Sequence, residues 1–381
     1  MRKVNISYDI CSHREREARI RNPLIDLLHA VRTHGSISAA ARDLGLSYRH
    51  VWGELKRWEQ SVGQALIVWE RGQAAQLTPF ADKLLLTERM VQARLAPQIE
   101  TLRAELERAL SLAFDPSAHV LSLYASHDDA LPLLQDHAAS HAGLHLDLRF
   151  CGSVEALQAL NEGRSVVAGF HARHQPDAAS PSAQAYRPLL QPGQHKLIGF
   201  AQRTQGLVVA RGNPLRLDSL ARVVRWRARF VNRQPGTGTR LLLADLLAEQ
   251  GLAMTDLNGH DRCEPSHTAV AQAIASGQAD VGLGTQAAAQ MAGLDFVPLT
   301  IEHYYLACLK SALDQPAMQV LRQVLASDRW RLLLGGLAGY TPDQCGEVLS
   351  LRQALPWWHY RRGRPGHDRS ADQKASFSAS R

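Results

Sequence analysis

The chain has 381 residues, of which 45% are hydrophobic and 21% charged, a balance that suits two or three globular domains and excludes a disordered or fibrous chain. No apolar run approaches the ~20 residues needed to cross a bilayer, and the opening MRKVNISYDICSHRERE lacks the apolar core of a secretory signal, so the cytoplasm is the expected location. Charge is uneven: 17 basic against 13 acidic residues in 1–112, 20 against 21 in 113–354, and 6 against 2 in 355–381, a positive front end suited to a polyanion such as DNA.

Asn22-Pro23 opens the first predicted helix, with Asn as N-cap and Pro at the first helical position. Leu24, Leu27, Leu28 and Val31 fall on one face, and Gly35 closes the helix. Ser36 starts a second helix whose Ala39-Ala40-Ala41 run permits close approach. Gly45 makes a tight turn, and Ser47 caps a third helix to about Gln60, with Val51, Leu55 and Trp58 on its buried stripe. This is a helix-turn-helix. Its candidate DNA contacts are Ser47, Tyr48, Arg49 and His50 at the start of the third helix, Lys56 and Arg57 further along, and Ser36 at a helix N-terminus. A bare helix-packing module with a solvated basic face is the alternative.

Two short apolar arms around Gly72, in LIVWERGQAAQL (66–77), predict a hairpin wing with Arg71 near its tip. Thr78-Pro79 then caps a long helix. Leu84, Val91, Leu95, Ile99, Leu102 and Leu106 form a stripe suited to pairing with a second copy. Pro97 interrupts this stripe, so a bend or a new helix start is expected there. Packing on its own chain is the alternative use of the stripe.

From about 119 onward, strand-like and helical runs alternate, which predicts an α/β domain with parallel sheets. The strands are HVLSLYAS, LDLRFCG and SVVAGF, then KLIGFA and GLVVAR separated by a polar turn, RFVNR and ADVGLG. A polar insertion is expected at 172–186. Ligands of such sheets sit at strand C-termini beside helix N-termini. Candidates there are Ser126, Ser153, Gln205, Asn232, Arg233 and the run Gly236, Thr237, Gly238, Thr239 and Arg240, whose hydroxyls, N–H groups and guanidinium groups suit an oxyanion. The run GTGTR lacks the lysine of a phosphate-binding P-loop and the third glycine of a dinucleotide fingerprint, and no catalytic triad order stands out, so no enzyme and no cofactor is expected. A plain helix-capping turn remains its alternative reading.

The five cysteines are odd in number and never spaced as CxxC, which argues against a disulfide framework or zinc site. His137 and His141 stand four apart, but without supporting ligands they read as part of an ordinary surface helix, and no metal is expected.

GSISAAA, LGLSYRHVW and LTPFA resemble the winged helix-turn-helix of molybdate-responsive repressors, which are related to LysR-type regulators, over roughly 20–112. The resemblance implies a homodimer binding double-stranded DNA, with the third helix reading bases. SHDDAL, GSVEALQALNEG, RTQGLVVARGNP, FVNRQPGTGTRLLL and HTAVAQAIASGQADVGLG are similar to the periplasmic-binding-protein-like domain often fused to such modules, over about 119–310. It implies two α/β lobes closing on a small ligand. Molybdate-type members hold the oxyanion with serine hydroxyls and main-chain N–H groups, and Ser126 and Ser153 match the first two helix-start serines of that pattern. The arginines around 222–240 leave room for a larger anion, such as an organic acid.

The expected organisation is a winged helix-turn-helix at 1–80, a linker or dimerisation helix at 81–112, a ligand-sensing domain at 119–345 and a disordered basic tail at 361–381. The expected function is a transcriptional regulator whose operator binding responds to molybdate, tungstate or a related anion. An enzyme or molybdenum-cofactor accessory protein acting on an anion in the α/β part is the alternative.

Overall fold

The structure, a computed structural model, describes residues 22–68, 74–114, 119–173, 178–355 and 357. The wing tip with Arg71 and the basic tail from 361 lie outside the described residues.

Helix α1 (Pro23–His34) starts where Asn22 Oδ1 accepts from the Leu24 N–H at 3.0 Å, and it ends at Gly35, whose φ of +59° costs an L-residue but not glycine. Helices α2 (Ile37–Asp43) and α3 (Tyr48–Val62) are capped by Ser36 and Ser47. Each such cap contributes about 1 kcal/mol. Leu28, Val31, Ala40, Val51 and Leu55 form the small core, and residues 45–50 are all exposed. Strands β1 (Ile67–Val68) and β2 (Gln76–Leu77) pair antiparallel as the base of the expected wing.

Helix α4 (Pro79–Phe114) is one 36-residue helix, so no new helix begins at Pro97. Proline has no N–H to give the carbonyl four residues back, which here is Ala93. That carbonyl instead accepts the Ser266 hydroxyl at 3.1 Å, so the break is filled from another part of the chain. Ala81, Leu85, Met90, Ala93 and Ala104 face their own chain, whereas Val91, Leu102, Leu106 and Leu110 are exposed.

The α/β part follows in chain order as β3 (His119–Ala125), α5 (Ala130–Ala142), β4 (Leu144–Phe150), α6 (Ser153–Asn161), β5 (Val167–Arg173), α7 (Pro181–Tyr186), β6 (His195–Val209), α8 (Leu220–Arg225), β7 (Phe230–Arg233), α9 (Gly238–Glu249), β8 (Cys263–Glu264), α10 (His267–Ala275), β9 (Val281–Thr285), α11 (Gln286–Met291), β10 (Asp295–Leu309), α12 (Pro316–Ala326), α13 (Asp328–Gly335), β11 (Tyr340–Pro342), β12 (Val348–Leu349) and α14 (Leu351–Ala354). The strand order is β4-β3-β5-β10-β6-β9-β7-β8, with β11 and β12 also on β6. Parallel pairs at each end carry the helices, while β6 and β10 run antiparallel through the middle. Residues 302–308 of β10 pair with β5, and residues 205–209 of β6 pair with β9. The two 15-residue strands therefore cross from one lobe to the other, with separate apolar cores on either side.

Three local expectations change. Arg203–Gly206 is no turn but the middle of β6, because pairing with β10 continues through it. The expected insertion at 172–186 begins inside β5 and contains α7. His137 is also no surface residue: it is buried, with its ring centroid 6.1 Å from Trp330, and no metal-ligating cluster occurs among the described residues.

Candidate functional site

The loop after β3 brings Ser126, His127 and Asp128 to the mouth of the first lobe, and the start of α6 brings Ser153. Ser126 Oγ and Ser153 Oγ lie 3.1 Å apart, both buried. Across from them stands the start of α9. Gly236 adopts φ +80° and its carbonyl accepts the Val154 N–H at 3.2 Å, linking the two lobes directly. The approach leaves no room for a side chain, since a Cβ on Gly152 would sit 2.9 Å from the Gly236 oxygen. A Cβ on Gly238 would likewise meet Ser153 Oγ and His171 Cβ at 3.2 Å. The lobes are closed on each other, and the first N–H groups of α6 and α9 belong to the helix positions without intrahelical acceptors.

Where β6 and β10 cross, Arg203 binds both Asp128 and Glu302, the latter at 2.5 Å. Gln205 donates to Glu302 at 2.8 Å, and the Tyr340 hydroxyl donates to Asp128 at 2.9 Å. Burial alone would raise the Asp128 carboxyl, but Arg203, His171 and the Ala130 N–H hold it well below its usual range. Arg203 is therefore neutralised by two carboxylates at the pivot between the lobes.

Arg233, at the end of β7, is different. It is 2% exposed, its Nε and Nη1 have no hydrogen-bond partner and it makes no ion pair among the described residues. Burial, reinforced by the Arg203 charge, lowers its pKa to about 9, which leaves it charged at neutral pH. Asp129 and Asp128 act on it across space without bonding it. His267 and His171 line the same region; burial first, and then the neighbouring arginines, lower both pKa values and favour neutral imidazoles. Thr239 Oγ1 is 3.3 Å from His267 Nε2. The cleft thus contains a buried positive charge with no bonded counter-ion among the described residues, acting on His267 beside the Thr239 hydroxyl. An isolated buried cation costs several kcal/mol, which an anion in the cleft would offset.

Not every residue grouped with the cradle by sequence faces it. Thr237 caps α9, donating to Gln234 O at 2.8 Å. Asn232 is engaged outward, donating to His260 O at 3.3 Å and accepting from the Arg233 N–H. Arg240 braces β7 and β8, with Nη1 3.1 Å from both Arg233 O and Cys263 Sγ. Ser126, Ser153, Gly236, Gly238, Thr239, Gln205 and Arg233 come together with Arg203, expected only as part of a turn, and with the unforeseen His171, His267 and Glu302.

In the helix-turn-helix, Tyr48, Arg49 and His50 are exposed at the start of α3. Ser36 and Ser47 use their hydroxyls as caps. Lys56 is tied to Glu59 at 2.7 Å, and Arg57 is bound to Glu54, although both remain exposed.

The profile of the PBP superfamily domain matches residues 135–326, just over half the chain. The protein is a member of the PBP superfamily. The profile described as bacterial regulatory helix-turn-helix protein, lysR family, matches residues 24–82. Together the two matches make this PBP-superfamily member a LysR-family transcriptional regulator with an effector-binding domain. Among curated relatives, the uncharacterized protein YvgK of Bacillus subtilis (strain 168) is 27% identical over 235 residues, 62% of this chain and 75% of its own. An uncharacterized protein from the 5' region of a ferredoxin 2Fe-2S gene of Clostridium pasteurianum is 31% identical, covering 29% of this chain and 98% of its own. The molybdenum-pterin-binding protein MopB of Rhodobacter capsulatus is 31% identical over 25% of this chain and 39% of its own. Full-length BenM (15% identity, TM-score 0.40, covering 82% and 96% of the two chains) and LysG of Corynebacterium glutamicum (19%, 0.34, 80% and 96%) are similar solved structures.

Ser126 and Ser153 bond each other, and the carboxylate nearest His171 is already neutralised by Arg203. No helix among the described residues is long and apolar enough to cross a membrane.

Proposed function

We propose that this regulator binds a small oxyanion, molybdate or tungstate above all, between its two lobes, and that the bound anion alters its hold on operator DNA in the cytoplasm. The observation that carries this reading is the buried Arg233 guanidinium, whose Nε and Nη1 lack hydrogen-bond partners and whose charge acts on His267, the neighbour of the Thr239 hydroxyl. An oxyanion supplies the missing charge and offers acceptors to hydroxyls and helix-start N–H groups alike. The direct contact between Gly236 and Val154 argues for a compact anion rather than a long organic acid. The MopB similarity supports a molybdenum-related effector.

In this reading Tyr48, Arg49 and His50 meet base edges and phosphates, with Ser36, Ser47, Lys56, Arg57 and Arg71 flanking them. The exposed stripe Val91, Leu102, Leu106 and Leu110 pairs α4 with a second copy, and the domain divisions near 80 and between 112 and 119 follow that use. Helix α4 also touches both lobes. Its earlier part holds the second lobe through Arg94–Glu264 and the Ala93 carbonyl; its later part holds the first through Glu100–His127 and Arg108–Asp147. His127 adjoins Ser126, and Ser266 adjoins His267, so lobe movement is felt by the helix that carries the DNA-binding unit. A coupling of about 1–3 kcal/mol suffices for regulation.

Thermal-shift measurement against molybdate, tungstate, sulfate, phosphate and simple carboxylates tests the reading. Stabilisation by the tetrahedral oxyanions is expected. A flat response to every anion would leave the α/β part without a ligand of this class.

A further inference from the structure

Residues 211–229 contain six arginines and one aspartate, a net charge of +5 inside a region, 113–354, that is otherwise slightly acidic. Arg222 pairs with Asp218 and Arg229 with Asp280. Arg211, Arg216, Arg225 and Arg227 are exposed and make no ion pair among the described residues. Between them Trp226 is 60% exposed and Leu215 42%.

The segment is anchored, not loose. Leu217, Leu220, Val223 and Ala228 are buried in the second lobe's core, Asn213 closes the turn onto Leu217 at 2.9 Å, and Asn258 Nδ2 donates to Arg227 O at 2.9 Å. Arg216 and Arg227 both adopt φ +50°, a conformation that glycine or asparagine takes more cheaply. The fold therefore gains nothing locally from arginine at these two places; what arginine adds is charge and a bidentate grip on phosphate.

Position favours a particular polyanion. Arg229 also binds the Gly277 carbonyl at 2.9 Å, and the next residue, Gln278, donates to Met90 of α4 at 3.0 Å. Met90 is only eleven residues past Pro79, about 17 Å along the helix from the end of the wing. The arginine-rich lobe is thus the one against the DNA-proximal half of α4.

We propose that Arg211, Arg216, Arg225 and Arg227 form a second DNA-contact surface, which grips the phosphate backbone of duplex flanking the site held by the helix-turn-helix. The proposal rests on DNA binding by that unit. It makes the effector domain an electrostatic partner in binding, so flanking length contributes affinity without adding sequence specificity.

The test uses the full chain with random-sequence duplexes of about 20 and about 60 base pairs, following affinity against salt. The variants are Arg→Gln at all four positions, Arg→Lys at the same four, and Arg49→Ala, with thermal melting to check folding and the Arg211→Gln/Arg225→Gln pair in reserve. Expected is a salt slope on the long duplex shallower by roughly 0.9 per lost contact in the glutamine variant. The short duplex should be unaffected, the lysine variant should stay near wild type, and Arg49→Ala should weaken binding to both duplexes. An unchanged slope on the long duplex, with binding retained, overturns this surface alone. Loss of affinity for polyglutamate without any change on DNA overturns it in favour of an acidic protein partner. Failure of the wild type on both duplexes overturns the helix-turn-helix reading as well.

Discussion

Replacing Arg233 with methionine should have opposite effects on stability and on ligand response. Burial and the Arg203 charge lower the Arg233 pKa to about 9, more than three decades below an ordinary arginine. At about 1.4 kcal/mol per decade, the charged form carries a penalty of roughly 5 kcal/mol in the anion-free fold. Relaxation and water entry reduce such penalties, so Arg233→Met should stabilise the anion-free protein by ~1–3 kcal/mol. The folded guanidinium loses its proton near pH 9 while the unfolded one keeps it, so wild-type stability rises above that pH and bears the full penalty below it. Urea unfolding near neutral pH, with and without molybdate, reads both effects. At a hundredfold excess over its dissociation constant, the anion should add about 2.7 kcal/mol to the wild type and almost nothing to the variant. A variant that is several kcal/mol less stable without anion, yet still responds to it, would show that Arg233 is a structural cation and refute the reasoning.

Two further outcomes are expected. Burial raises the Asp129 carboxyl to about 6, so its contribution to stability is complete below about pH 4 and disappears as the pH rises through 6. Asp129→Asn should remove that decline, and it should also remove the loss of anion affinity over the same window, since the ionised carboxylate acts on Arg233; matching pH profiles for both proteins would count against this. Leu102→Glu with Leu106→Glu places charges on the exposed stripe of α4 and should turn a dimer into a monomer in light scattering without lowering the melting temperature. A wild type that is already monomeric at micromolar concentration would remove the stripe from the interface.

The winged helix-turn-helix was legible in the sequence because its determinants are local. Asn22, Ser36 and Ser47 cap helices within three residues of themselves, and Gly35 and Gly45 relieve backbone angles at their own positions. The alternation of strands and helices beyond residue 119 was readable for the same reason, since period and punctuation are properties of short windows. What the tertiary structure alone decided is who meets whom over long separations. Arg203 finds Glu302 across 99 residues and Asp128 across 75, and only the crossing of β6 and β10 places them together. The polar stretch that read as a turn became mid-strand because β10 offered it a ladder of partners. Pro97 stayed inside a helix because Ser266, 173 residues from Ala93, took the carbonyl that proline left free. The residue types of FVNRQPGTGTR suggested an anion site, but spacing could not separate Thr239, beside His267, from the capping Thr237, nor buried Arg233 from the bracing Arg240. Caps and turns are fixed by neighbours in the chain; burial and charge pairing depend on the rest of the fold.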